Sequence, residues 1–209
     1  EDPTVDISGD NPLTPQGESE YATYAQNFSG ITTLVCSWTT LKELPPGSGF
    51  SSLKRLVLKD CANIQSVPGN YNSQHTLEEL DASGTKISSI PNQFVNTLRV
   101  LDVSNCKRIT SVGDTLMLHT LNISNSSVNE VRPASCENLA RFVGLNCRVN
   151  SIPTCLKLVV IVWSGVGSTK LTICNAPALI SIITPGPEVN ILNMTRREDN
   201  GAVITPICC

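Results

Sequence analysis

Cysteine and histidine are the residues of this chain best able to do chemistry, and their spacing decides which chemistry is open to it. The 209 residues include nine cysteines, and His75 and His119 are the only histidines. No C-x-x-C pair occurs in the sequence. Because zinc ligands are usually found at such short spacings, we expect neither a metal nor any other cofactor.

Acid–base chemistry has one candidate pair, Asp81 and Asp102, which occupy the same position in two successive sequence repeats. Carboxylates about 5 Å apart can split their pKa values and share a proton. A solvated polar row, balanced by Arg55 and Arg99, is the simpler interpretation. His119 has no nucleophile placed around it by a known motif, and the sequence contains no glycine-rich phosphate loop. We therefore predict that the protein is not an enzyme.

Charge and hydropathy exclude two classes of partner. Charged residues make up 16% of the chain and the formal net charge is −3, which provides no positive field for nucleic acid or an anionic membrane. No apolar run approaches the roughly 18–20 residues that a membrane-spanning helix needs. We expect no nucleic-acid partner and no membrane span within these residues.

A repeat of 20 to 24 residues must position all of these side chains. The pattern L-x-x-L-x-L, a small residue and a later apolar pair recurs in segments that begin at Ile31, Leu53, Leu77, Leu98, Leu118 and Leu139. The L-x-L alternation predicts a short strand with its leucines inward and its x positions outward. Each repeat leaves an apolar edge that only a neighbouring repeat can cover, so the repeats should stack.

This pattern resembles the leucine-rich-repeat family from Ile31 to about Ile182. The resemblance implies a mainly β or α/β right-handed solenoid with a concave parallel sheet. Because Pro45, Pro68 and Pro91 follow the last core residue of their repeats, we expect few or short 3₁₀ or α segments on the convex side. Seven to nine strands are predicted, centred near residues 34, 56, 80, 101, 121, 142, 161, 172 and 192.

The segments outside the repeats are predicted to cap the solenoid, because a bare end would expose core and strand edge. Residues 1–30 should form a polar arm and cap, with a flexible stretch before residue 20 and aromatic residues that cover the first repeat. Residues 31–182 form the repeats, with one repeat shortened near Gly165. Residues 183–209 should supply a degenerate last strand and a C-terminal cap.

The cysteines divide by their place in the repeat. Those predicted to be buried thiols are Cys36, Cys61, Cys106 and Cys147. Cys136 and Cys155 lie in successive inter-repeat loops, 19 residues apart, and either a disulfide or two thiols would fit that spacing. A second disulfide at the C-terminal end has three candidate members, namely Cys174, Cys208 and Cys209.

Four N-x-S/T sequons are candidate N-glycosylation sites, at Asn27, Asn122, Asn125 and Asn193. Asn122 and Asn125 fall on or beside one predicted concave strand, where a glycan would obstruct binding. Asn27 is therefore the acceptor that we expect to be most accessible.

The outward positions of the repeats predict a binding surface on the concave face. Trp38 is a candidate apolar anchor, with burial beneath a cap as the alternative. Asp81 and Asp102 would provide charge complementarity to a basic partner, and Arg55 and Asn122 flank them. A protein ligand is favoured, and a glycan or peptide is the alternative.

Three classes of function remain after these exclusions. The first is an extracellular or cell-surface recognition module, favoured by the repeat, the cysteine count, the sequons and the low charge. Glu1 in place of a methionine fits either a removed signal peptide or a trimmed chain. The second is an intracellular scaffold or effector with reduced cysteines. The third is a structural surface-coat protein without a specific ligand.

Overall fold

The structure is a computed structural model that describes residues 3–6, 8, 28–38, 41–44, 49–72, 74–113, 117–132, 136–166, 170–184 and 189–191. Within these residues it contains fourteen short strands. In chain order they are β1 (Thr4–Asp6), β2 (Thr33–Val35), β3 (Arg55–Val57), β4 (Glu79–Asp81), β5 (Val100–Asp102), β6 (Ser111–Val112), β7 (Thr120–Asn122), β8 (Glu130–Val131), β9 (Arg141–Cys147), β10 (Ser151–Ile152), β11 (Val160–Gly165), β12 (Leu171–Ile173), β13 (Ser181–Ile183) and β14 (Val189–Ile191).

Nine of these strands form one parallel sheet, which we call the main sheet. Its order is β1-β2-β3-β4-β5-β7-β9-β11-β13, so the chain adds one strand per coil. The register pairs Leu80 with Leu101 and Leu101 with Leu121. The middle residue of each strand therefore faces the core at the same height in every coil, as the L-x-L pattern predicts.

The opposite side of the solenoid carries little regular structure. Two small parallel sheets lie there, β6–β8 and β10-β12-β14, together with the 3₁₀ helices Gly69–Asn72 and Asn92–Phe94. The expectation of short 3₁₀ segments on this side is confirmed.

The assignment of Leu171–Ile173 as a repeat strand of the concave sheet is wrong. This segment is β12, which pairs with β10 and β14 on the opposite side of the coil. The strand that follows β11 in the main sheet is β13, with Val160 paired to Ser181. That pairing spans 21 residues, so no coil is shortened. A triplet with buried, outward and buried residues is compatible with a strand on either side of a coil. Only the strands with which it pairs show on which side it lies.

The two ends also differ from expectation in part. The strand predicted near residue 192 corresponds to β14, but it too belongs to the small sheet. Residues Thr4–Asp6, predicted within a flexible arm, form β1 and pair with β2. The edge of β2 is therefore covered by backbone hydrogen bonds from the N-terminal segment.

The core is built from aliphatic side chains that stack from coil to coil, and a few aromatic residues are buried among them. Phe50 lies between Phe28 and Tyr71, with ring centroids 5.5 and 5.6 Å away. Trp163 is fully buried in β11, and its Nε1 donates a hydrogen bond of 3.2 Å to the carbonyl of Val149. Leucine and isoleucine fill most of the remaining interior.

Candidate binding surface

Equivalent residues of successive coils form three columns of side chains along the solenoid. The first column consists of small side chains that point into the core, at the end of a main-sheet strand or just after it. Its members are Cys61, Thr85, Cys106, Ser126 and Cys147, all buried. Four of these side chains donate to backbone carbonyls. For example, Cys106 Sγ donates to Ala82 at 3.0 Å and Ser126 Oγ to Ile123 at 2.7 Å. Burial raises the pKa of the Cys106 and Cys147 thiols, which keeps them protonated and poorly nucleophilic. These cysteines are structural, as predicted.

Cys136 and Cys155 occupy equivalent turns of adjacent coils. Each backbone carbonyl accepts a hydrogen bond from the residue three places later, Leu139 and Leu158 respectively. Both side chains are fully buried, and a hydrogen bond from the Cys155 thiol to Cys136 is the largest cause of the raised pKa of Cys155. The two thiols are therefore neighbours in the core. The structure shows both as thiols, and Cys174 also as a thiol; Cys208 and Cys209 lie outside the described residues.

The second column lies on the outer face of the main sheet, at the last residue of the three-residue strands and at the residues paired with them in the longer β9 and β11, and we call it the strand-end column. The face is the one predicted to be concave. Register places Asp81, Asp102 and Asn122 side by side in this column. Their side-chain oxygens each accept a hydrogen bond from the backbone two residues on, from Ser83, Ser104 and Ser124.

These bonds form Asx turns, which end each strand by satisfying a backbone N–H. The same turn occurs at Asp6, where the amide of Ser8 donates at 2.9 Å. Hydrogen bonding by Ser8 lowers the pKa of the Asp6 carboxyl. The repeated D/N-x-S at Asp6, Asp81, Asp102 and Asn122 was a visible signal for these turns. Sequence reasoning missed it and treated the aspartates as free surface charges.

Asn122 also links two coils. Its Nδ2 donates to Asp102 Oδ2 at 2.7 Å, so both ends of the amide have partners within the sheet. Attachment of a glycan to that nitrogen would compete with this bond. Asn125 lies beside it and its Oδ1 accepts from Asn146 Nδ2 at 3.1 Å. The other two sequons, at Asn27 and Asn193, fall outside the described residues.

Removing the Asp102 side chain is expected to cost about 1 kcal/mol of stability, since each net hydrogen bond contributes about 0.5–1.5 kcal/mol. Asp102→Asn should cost less than Asp102→Ala, because Asn122 shows that asparagine makes the same turn in this column. Urea midpoints of the two variants measure the difference. Equal losses would show that the turn does not stabilise the strand end.

Arg55 and Arg99 are paired with glutamates. Arg55 Nε lies 3.2 Å from Glu79 Oε2, and Arg99 Nε lies 3.5 Å from Glu78 Oε2. The charges of Asp81 and Asp102 are therefore not balanced by these arginines, in contrast to our expectation. Both pairs are about half exposed, so each contributes little to stability.

The third column follows the strand-end column by three residues, and its members have a left-handed backbone. They are Trp38 (φ 61°), Asp60 (58°), Gly84 (71°), Asn105 (60°), Asn125 (54°) and Asn146 (50°). Glycine, asparagine and aspartate tolerate this conformation, whereas for other residues it costs roughly 1–2 kcal/mol. Trp38 is the exception in the column. Its side chain is 59% exposed, and Lys59 Nζ lies 5.9 Å from the indole centroid.

The C-terminal end of the outer face is apolar. Register places Val143, Val162 and Ile183 side by side in the strand-end column. Ile183 is 55% exposed, and Leu145 and Val166 are exposed close by in the chain. This patch was missed in part because Ile183 was assigned to no main-sheet strand. Its signal was the regular 21-residue spacing from Val162.

The described residues contain no group of three or more His, Cys, Asp or Glu side chains that could hold a metal ion. Asp81 and Asp102 are neighbours, yet one oxygen of each is committed to an Asx turn. Among the parts of the chain that the structure describes, no helix is long and apolar enough to cross a membrane. The outer face of the main sheet combines the polar strand-end column with the apolar residues of the last coils. It offers polar and apolar contacts over several coils, which is an arrangement suited to binding.

Comparison with solved structures decides the fold. The functional domain of InlJ from Listeria monocytogenes, which includes a cysteine ladder, is similar to this chain with a TM-score of 0.55 and 15% sequence identity. InlJ is a leucine-rich-repeat protein. The chain has a leucine-rich-repeat fold. The likeness covers 79% of this chain and 46% of InlJ, so the chain spans about half of that neighbour. No family model matches the sequence, and no curated protein matches it significantly.

Proposed function

We propose that this leucine-rich-repeat chain is a recognition module that binds a protein on the outer face of its main sheet. The observation that carries this proposal is the apolar patch formed by the half-buried Val143 and Val162 with the exposed Leu145 and Ile183, on adjacent strands of the main sheet. Contiguous apolar surface on a folded protein commonly marks an interaction site. The fold itself is one typical of protein-interaction domains.

The middle of the face supports a partner with complementary polar groups. Asp81 and Asp102 carry charges that the described ion pairs do not neutralise. A basic segment of the partner would find these carboxylates between the apolar patch and Trp38. A glycan ligand fits the amide-bearing side chains of Asn122 and Asn125, but it leaves the apolar patch around Ile183 without a role.

Binding is tested by affinity capture from the native source, followed by titration of the captured protein against matched variants. Ile183→Ser should weaken the Kd at least tenfold by removing apolar contact area. Leu156→Ser is the control, since Leu156 is as exposed (57%) but lies in a turn outside the main sheet. Equal affinity of the two variants would place binding elsewhere. A chain that captures no specific partner would favour the structural-coat alternative.

Charge is tested separately. Asp81→Asn and Asp102→Asn remove the carboxylates while an amide can keep the Asx turns, as Asn122 does. Together they should weaken a basic partner and flatten the salt dependence of its Kd. An unchanged salt dependence would remove these aspartates from the interface.

A secreted or cell-surface location is part of the proposal, with a cytoplasmic protein as the alternative. Cys136 and Cys155 provide the test, because equivalent positions in adjacent parallel coils lie about 4.8 Å apart, within the range that a disulfide spans. In an oxidising compartment, a disulfide oxidant would take two electrons and two protons from this thiol pair. Mass spectrometry of the native protein should find Cys136–Cys155 joined. Two free thiols at these positions would favour the cytoplasmic alternative.

A further inference from the structure

The columns of the outer face follow consistent rules over most coils, and near the N-terminal end two residues that break them contact each other. In the left-handed column, five of the six members are Asp, Gly or Asn, and the sixth is Trp38. In the column two residues after the strand-end column, Ser37, Ser83, Ser104 and Ser124 are buried, whereas the equivalent Lys59 is exposed. Leu145, in the same column, is also exposed and belongs to the apolar patch of the last coils. Trp38 and Lys59 contact each other, with the ammonium 5.9 Å from the indole centroid.

Neither exception is explained by the fold. A left-handed tryptophan is strained, and its large exposure means that packing does not offset the strain. Lys59 takes no part in the two ion pairs, Arg55–Glu79 and Arg99–Glu78, found among the described residues. A residue that departs from its column and adds strain without stabilising the fold is expected at a functional site.

The surroundings of the pair define what would fit it. The exposed indole presents a large flat apolar surface, and aromatic residues of this kind are common binding anchors. The ammonium beside it presents a positive charge whose natural partner is a carboxylate. Val35, the last residue of β2, is half-buried and adds apolar surface three residues before Trp38. Trp38 follows β2 and Lys59 follows β3, so the pair lies at the opposite end of the main sheet from Ile183.

We propose that Trp38 and Lys59 form a second subsite of the binding face, for an acidic protein segment that carries a large apolar side chain next to a carboxylate. The apolar side chain packs on the indole, and the carboxylate pairs with the Lys59 ammonium. The subsite deepens the function proposed above and rests on it.

A phage-displayed random peptide library, selected on the wild-type chain, tests the chemistry. Selected peptides should combine Asp or Glu with a neighbouring large apolar residue. They should bind Trp38→Asn and Lys59→Ser at least tenfold more weakly than wild type, and bind the control Asn105→Ala unchanged. A selection that yields only peptides that bind all four proteins equally overturns the subsite.

Stability gives an independent readout. Trp38→Asn restores the residue type of the column, so its urea midpoint should rise above that of wild type while peptide affinity falls. A lower midpoint would show that Trp38 is held for packing and would overturn the proposal. If the captured protein partner is lost by Ile183→Ser but not by Trp38→Asn, the subsite fails while binding on the outer face stands. If neither change affects that partner, the proposed function fails as well.

Discussion

Replacing Leu101 by alanine is expected to lower the free energy of unfolding by about 2–5 kcal/mol, because the substitution opens a cavity in a close-packed core. Leu101 is fully buried and lies in register between Leu80 and Leu121. In a solenoid each coil is stabilised by its two neighbours, so the cavity weakens both interfaces of β5 at once. Urea denaturation of the two proteins measures the loss.

Val100→Ala is the matched control on the same strand. Val100 precedes Leu101 and points to the outer face, where it is half-buried. Its truncation should cost about 1 kcal/mol or less. Equal losses of stability in the two variants would contradict the assignment of Leu101 as inward and Val100 as outward on β5.

Replacing Asn72 by alanine is expected to cost about 2–4 kcal/mol, since each buried polar group left unsatisfied costs about 1–3 kcal/mol. Asn72 is 1% exposed and ends the 3₁₀ helix Gly69–Asn72. Its Nδ2 donates to the Gln93 carbonyl at 2.6 Å and to Thr97 Oγ1 at 2.8 Å. Its Oδ1 accepts from the buried amide of Leu77 at 2.9 Å. One side chain therefore joins successive coils on the side opposite the main sheet.

Asn96→Ala provides the comparison, because Asn96 is an exposed asparagine in the turn after the next 3₁₀ helix. Its loss should change the urea midpoint little. Amide hydrogen exchange adds a local test: the Leu77 amide should exchange faster in Asn72→Ala than in wild type. Retained protection at Leu77 would mean that Asn72 does not satisfy that amide.

The binding face combines features with separate structural origins. The strand-end aspartates close Asx turns, the left-handed column turns the chain out of the sheet, and apolar residues in the last coils leave a patch exposed. Because turn formation accounts for Asp81 and Asp102 without any ligand, Trp38, Lys59 and Ile183 provide the stronger argument for recognition. Their side chains are exposed and no described contact of the fold requires them.

The sequence by itself determined the coil and its core. A strict L-x-L period leaves each strand one way to bury its leucines, so the strands at Leu34, Leu56, Leu80, Leu101 and Leu121 could be predicted. The small inward position after each strand was equally readable, because a narrow slot next to a backbone carbonyl accepts cysteine, serine or threonine. These features are local and repeat at fixed spacing.

Only the tertiary structure decided which elements meet. Leu171–Ile173 has the same alternation as a main-sheet strand, and its pairing with β10 places it on the opposite side. Asp102 looked like a free charge until its bonds to Ser104 and Asn122 were known. The contact of Trp38 with Lys59 joins residues 21 positions apart. Periodicity fixes which way a side chain points, whereas pairing across coils fixes what it touches.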